Sequence, residues 1–325
     1  MTYTLNIINA PWAIEPAKLL EIQAIYAGYL RGEQIDIEAI EKRLGRPLVN
    51  EPKAYTIESG VAVLPIEGIV AKRMNLLTQI SGGTSSQRAA QSLETALHDS
   101  SVHSIILAID SPGGTVDGTE LLANSVAAAR SVKPVVTLAS GMMCSAAYWI
   151  GSAAQSVYLA DSTTQAGSIG VVATHTDISG AQAAQGIKTS EITAGRYKRI
   201  ASSYAPLSPA GRQSMQDQVD YTYSVFVEAV AKNRGVGTDK VLRDMADGRV
   251  FVGKQAIDAG LADGIVTLPK LVDMLNKNRT GTKSPPPEPV LPATRAEVDQ
   301  AAKAYMQRNP DASYLAAVKA VAPGA

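Results

Sequence analysis

The sequence predicts an α/β domain built on a largely parallel sheet, and three observations predict it. Short β-rich runs recur through the middle of the chain, at residues 61–66, 104–110 and 135–140, with similar runs at 157–160 and 169–173. Amphipathic helical patterns separate them, at 85–98 and 119–130. A longer helix opens at Ser208-Pro209, a good N-cap with proline at the first helical position, and closes near Gly235. Strands alternating with helices imply crossover connections and hence a parallel sheet. The long helix should bury Met215, Val219, Phe226 and Val230.

Around that domain, residues 56–270, lie three further zones. Residues 1–55 have a short apolar start, followed from Ile22 to Leu44 by apolar residues at helical spacing that is interrupted near Gly32. This reads as a helical N-terminal extension of two helices, packed on the main domain or on a neighbouring subunit. Residues 271–293 form a Pro-rich linker, since three consecutive prolines within 278–293 stop regular structure. Residues 294–325 form a short helical C-terminal tail, opened by Thr294 with Glu297 in capping-box spacing.

Composition narrows the setting. The chain has 325 residues, 46% hydrophobic and 18% charged, with 30 basic residues against 30 acidic ones. That balance is ordinary for a globular protein and gives no support to nucleic acid or an anionic membrane as partner. Cys144 is the only cysteine, so no intrachain disulfide is possible and a reducing compartment is expected. The start lacks the basic segment and apolar run of a secretory signal, and no stretch reaches the ~18 apolar residues of a membrane span. The expectation is a cytoplasmic protein without a membrane span.

Two segments carry chemistry. Ser111-Pro112-Gly113-Gly114 follows an apolar strand, and paired glycines there let backbone N–H groups approach a ligand, as an oxyanion hole requires. A bare Pro-Gly turn is the plain alternative. Ser145 follows a β-rich run and precedes the apolar segment Ala146-Ala147-Tyr148-Trp149. A serine at such a helix start, among small neighbours, can meet a substrate carbonyl; it can equally be a plain N-cap.

The order of motifs resolves this. Ser111-Pro112-Gly113-Gly114, then Ser145-Ala146-Ala147-Tyr148-Trp149, then Gly167-Ser168-Ile169-Gly170-Val171, then Gly195-Arg196-Tyr197-Lys198 resembles the signal peptide peptidase A family of serine peptidases. The closing segments Asp247-Gly248-Arg249-Val250 and 256–263 fit that family too, so the resemblance spans roughly residues 60–268. Within it, the chain looks most like the phage protein C-type head-maturation (prohead) proteases. The resemblance implies a Clp/crotonase-like repeated ββα superhelix, Ser145 as nucleophile and Lys198 as general base. It further implies oxyanion donors at Gly113 and Ala146, and Ser168 supporting the lysine. Family members usually carry glycines after the nucleophile; Ala146 and Ala147 keep the N–H groups but narrow the pocket.

A lysine near its ordinary pKa of about 10.4 cannot take the serine proton, so Lys198 must be buried to serve. His175 is the rival base, with Asp177 as its orienting partner, because the related Clp proteases use a histidine. Cys144 shows no feature that would lower its pKa and reads as packing. No cofactor and no metal are implied. The expected partners are protein or peptide substrates, among them phage capsid, portal or scaffold proteins met in the bacterial cytoplasm or inside the prohead, and further copies of the chain in a ring. Two other readings stand beside this: a housekeeping peptidase for signal-peptide remnants, and an acyl-CoA enzyme of the crotonase superfold.

Overall fold

Three long strands organise the fold. The structure, a computed structural model, describes residues 12–14, 19, 55–73 and 83–280. In chain order its strands are β1 (Trp12–Ile14), β2 (Thr56–Glu58), β3 (Val61–Ala71), β4 (Gly83–Ser85), β5 (Ser104–Thr115), β6 (Val135–Cys144), β7 (Ser156–Leu159), β8 (Gln165–Gly167), β9 (Val250–Val252) and β10 (Gly264–Ile265). The helices are α1 (Ser86–His98), α2 (Thr119–Ala129), α3 (Ala146–Ser152), α4 (Ser179–Ala184), α5 (Pro209–Arg234), α6 (Thr238–Lys240), α7 (Lys254–Asp258) and α8 (Leu268–Thr280), with a wider helical turn at Val241–Met245. Residues 1–276 form one compact unit and 277–325 a second. Of the second unit, only the end of α8 is described. Residues 271–280 of the expected linker are helical and belong to α8, while 281–293, the tail, and the helical pattern between Ile22 and Leu44 lie outside the described residues.

The sheet runs β10-β7-β6-β5-β3-β2, and every pair on this path is parallel except β2 with β3. The mixed α/β class with a largely parallel sheet is therefore as the alternating pattern predicts. Its long strands carry near-continuous apolar runs because helices cover both faces. Ile105, Leu107 and Ile109 enter the main core with Leu93, Leu122, Val126 and Trp149. Ile106, pointing the other way, joins Val61, Val136 and Leu138 under Leu271, Val272 and Leu275 of α8.

β3, β5 and β6 each run beyond their predicted ends. Register shifts at Glu67/Ile69 and at Ile109/Ser111 mark the change. Past those bulges the three strands take new neighbours: β4 beside β3, β8 beside β6, and β1 antiparallel to β5. Bulges bend strands and re-aim their side chains, and here they turn the strand ends into a second, smaller layer. Ser111-Pro112-Gly113-Gly114 thus lies inside β5 rather than in a turn after it.

The helix boundaries follow local chemistry. Ser85 caps α1 by accepting the Arg88 N–H, and Ser208 caps α5 by accepting from Gly211. α5 ends at Gly235, whose φ of 66° is the left-handed stop that glycine provides. Phe226 and Val230 are buried as expected, and Phe226 stacks on Trp149 at 4.6 Å. Met215 and Val219 are only half-buried, because the first half of α5 extends past the core. Within residues 1–55 the described residues are the strand β1, the helical Leu19 and Tyr55. One expectation gives way: residues 169–173 do not form a strand. The strand is Gln165–Gly167, and Ser168 at φ 52° breaks the extended run.

The end of α5 is tied to the closing motif. Arg234 donates to Asp263 at 2.6 and 3.1 Å and to the Gly260 carbonyl at 3.0 Å, and Asp263 accepts the Val157 N–H at 2.7 Å. Burial raises the Asp263 pKa, but the Arg234 hydrogen bonds and the Val157 N–H outweigh it and hold the carboxyl below its usual value. A depressed pKa stabilises the fold fully above the unfolded value of about 3.9, and the contribution is lost as pH falls through the folded value. Urea midpoints of the protein and of Asp263→Asn should therefore differ most near neutral pH and converge on acidification below about pH 4. A gap that stays constant to pH 3 would refute this role.

Candidate active site

The site is assembled where β6 ends. Met142–Cys144 pair with β8, and the next residue, Ser145, turns the chain into α3. Ser145 has φ 53° and ψ −119°, a region in which only glycine is comfortable. Holding a side chain there costs on the order of 1–3 kcal/mol. The surroundings impose it: the Ser145 N–H donates to Gly167 O at 2.7 Å, and its carbonyl accepts from Trp149 at 2.9 Å. α3 itself is buried along its whole length. Ser145 is 1% exposed, and its Oγ donates to Gly170 O at 3.4 Å.

β5 supplies the facing wall. Gly113 has φ 107°, and a Cβ there would lie 3.0 Å from Ser145 Cβ and from Cys144 O and would overlap the Ala13 carbonyl oxygen. A Cβ on Gly114 would overlap the Val70 carbonyl. Both glycines are thus required by close backbone approach, one to β1 and the serine turn, the other to β3. Ser111 fixes the pair, because its Oγ donates to Gly68 O at 2.6 Å and accepts the Gly113 N–H at 3.1 Å. The Gly113 N–H is therefore held by Ser111 rather than directed at Ser145. The Ala146 N–H opens α3, where the first helical donors have no intrahelical acceptor.

Ser168 is 4% exposed, and its N–H donates to Arg249 O at 2.7 Å. Gly248 N–H donates to Ile169 O at 3.0 Å, so the turn at Asp247-Gly248 clamps the segment after β8. This gives the Asp247–Val250 motif a physical task that its sequence does not display: it holds the backbone whose Gly167 and Gly170 carbonyls receive Ser145.

The two candidate bases are placed differently. Lys198 lies in an exposed turn, its N–H on Gly195 O at 3.1 Å, and its ammonium makes no hydrogen bond or ion pair among the described residues. Among the described residues, none buries Lys198. Arg196 and Arg199 flank it; Arg199 is paired with Glu191, and Arg196 lies 5.3 Å over the Tyr197 ring. His175 is half-buried and its Nε2 bonds Ser202 O at 2.9 Å, so that nitrogen carries a proton. It lines a cavity of about 160 Å³ with Ile200 and Met215, of which Ser145 is not a wall. Asp177 accepts the Ser179 N–H at 2.9 Å, and its carboxyl is held below the usual range first by Ser179 hydrogen bonds and only last by the His175 charge. His103 stands at the start of β5, the opposite end of the sheet from Ser145, and bonds Asn276.

Cys144 is buried beside Ser145 at the end of β6. Among the described residues no cluster of three or more His, Cys, Asp or Glu side chains is placed to hold a metal ion, and no described helix is long and apolar enough to cross a membrane. Among the elements that sequence reasoning missed is β1, which pairs with Gly113 and Gly114. Its signal was present, as an apolar triplet, Trp12-Ala13-Ile14, bracketed by Pro11 and Pro16.

A buried serine forced to positive φ between strand and helix, opposite a glycine pair, is the layout of α/β proteins of serine-hydrolase design. Known proteins sharpen the class. The profile of peptidase family S49 matches residues 127–281. Capsid assembly protease C of Escherichia phage lambda is 34% identical over 234 residues, 72% of this chain and 53% of the relative. Head-tail preconnector protein GP5 of Enterobacteria phage P21 is 34% identical over 253 residues, 76% of this chain and 49% of the relative. A protein of Synechocystis assigned as a protease is 30% identical over 196 residues, 60% of this chain and 69% of its own length. This chain belongs to peptidase family S49. It spans about half the length of the two phage relatives.

Proposed function

We propose that the chain is a serine endopeptidase in which Ser145 attacks the scissile carbonyl and Lys198 takes its proton, on a sheet of the Clp/crotonase superhelical kind. The observation that carries the reading is the backbone of Ser145, φ 53° and ψ −119°, facing Gly113 within a chain of family S49. Such strain persists where the surrounding structure over-determines it, and it gathers at active sites. The Ala146 N–H and, once released from Ser111, the Gly113 N–H would stabilise the oxyanion. Ser168 would hold the lysine amine.

The exposure of Lys198 bears on how the dyad is completed. A solvated ammonium is a poor base, and burial must lower its pKa before it accepts a proton near pH 7. Ile192, at 99% exposed, and Tyr197, at 62%, put apolar side chains on the surface of the segment that carries Lys198. Covering that surface with a second copy would bury the lysine and bring it to a neighbouring Ser145. The reading is therefore a homo-oligomer, in keeping with a ring, with the dyad shared between subunits. His175 is disfavoured because its Nε2 proton is committed to a carbonyl and Asp177 to Ser179.

The named phage relatives support a role in head maturation, with capsid, portal or scaffold proteins as substrates in the host cytoplasm or the prohead. Co-expression with phage capsid, portal or scaffold proteins should yield discrete fragments, identified by mass spectrometry, that disappear with Ser145→Ala. Intact partners in both cases would overturn the assignment.

A further inference from the structure

We propose that β1 fills the peptide cleft of the same protein, as an intramolecular competitor that substrate must displace. The proposal rests on reading Ser145 as the nucleophile. Trp12, Ala13 and Ile14 pair antiparallel with Thr115, Gly114 and Gly113 of β5. On its other side Trp12 donates to Val172 O at 2.8 Å and accepts from Val172 N–H at 2.9 Å. Backbone groups alternate sides along an antiparallel strand, so Trp12 faces Val172 and Ala13 faces Gly114. The triplet is inserted between two edges and bonded to both, the way an extended peptide ligand adds to a sheet.

Both edges belong to the serine site. Gly113 is one of them, and the point where its Cβ would stand touches the Ala13 carbonyl oxygen as well as Ser145 Cβ. The other edge, Val172, lies two residues beyond Gly170, whose carbonyl receives Ser145 Oγ. Carbonyl, glycine pair and serine therefore converge on one spot. No other described strand pairs with Gly113–Thr115 on that edge, so a substrate strand seeking this register finds it taken.

The strand is also built to leave. It is three residues long, so few ladder bonds hold it. Trp12 and Ile14 pack with Leu19, Ile69 and Val172 in a small cluster separate from the main core. Its withdrawal would uncover that cluster without opening the sheet. The same contacts describe the ligand: an extended peptide with bulky apolar side chains at the Trp12 and Ile14 positions and a small one between them, where Ala13 is fully buried.

The test uses the full chain carrying Ser145→Ala, so that binding is read without turnover, and a synthetic peptide of residues 8–18 with a fluorescent label. Trp12→Ala/Ile14→Ala should bind this peptide at least tenfold more tightly than the chain with an intact β1. Ala13→Pro, which removes the N–H facing Gly114 and fixes the local φ, should do the same if the double variant does not fold. In the intact chain, excess peptide should raise hydrogen exchange at the Trp12 amide at least tenfold. Equal affinities in folded variants, or Trp12 protection unchanged by saturating peptide, would overturn the proposal. If instead the wild-type serine fails to cleave anything, the binding and exchange differences remain, and only the peptidase reading falls.

Discussion

Replacing Ser145 by alanine is expected to lower peptide turnover by at least about 10³-fold, the range seen when a catalytic nucleophile is removed. Ser145→Gly should be equally inactive yet more stable, by about 1 kcal/mol, since glycine relieves the positive φ and gives back only part of that as chain entropy. The hydroxyl loses little on removal, because its one hydrogen bond among the described residues, to Gly170 O, is long at 3.4 Å. The two readouts are a peptide-cleavage assay and a urea midpoint. Inactivity with a gain in stability would mark a residue kept in a costly conformation for its chemistry. A Ser145→Gly chain that is less stable, or a Ser145→Ala chain that still cleaves, would remove the basis for the assignment.

The second large effect concerns the base. Lys198→Ala is expected to reduce turnover by about 10³-fold or more, whereas His175→Ala should stay within a few-fold of the parent. Lys198 is exposed among the described residues, so the proposed reading makes its action depend on assembly. Mixing Ser145→Ala with Lys198→Ala, after dissociation and reassembly, should restore activity at least tenfold above either variant alone, since mixed oligomers contain interfaces with both native partners. No recovery on mixing would place the dyad within one chain. Loss of activity with His175→Ala and retention with Lys198→Ala would transfer the base to the histidine.

Much of the scaffold was legible from local pattern. The apolar runs of β3, β5 and β6, the Ser208-Pro209 start and Gly235 stop of α5, and the helix after Ser145 all follow from periodicity and capping, which act within a few residues. What escaped was non-local. β3, β5 and β6 run past their apolar segments because bulges hand their ends to new partners, and residue periodicity ceases there. Residues 169–173 have the composition of a strand, yet Ser168 takes positive φ because its N–H is bound to Arg249 O, some eighty residues on. β1 escaped because a three-residue strand bracketed by prolines has too little sequence to show a period, and its pairing with Gly113–Thr115 is a choice made in space.

By itself, then, the sequence determined the α/β class, the helices and their caps, and through its ordered motifs the candidates Ser145, Lys198, Gly113, Ala146 and Ser168. Only the tertiary structure decided which of these meet. It brings Gly113, Ser145 and the segment after Ser168 together, because two long parallel strands end side by side and close backbone approach there admits only glycine. It leaves Lys198 in solvent, because among the described residues nothing covers the turn that carries it. A lysine's charge depends on the dielectric around it, and that belongs to the assembled surface rather than to its neighbours in sequence.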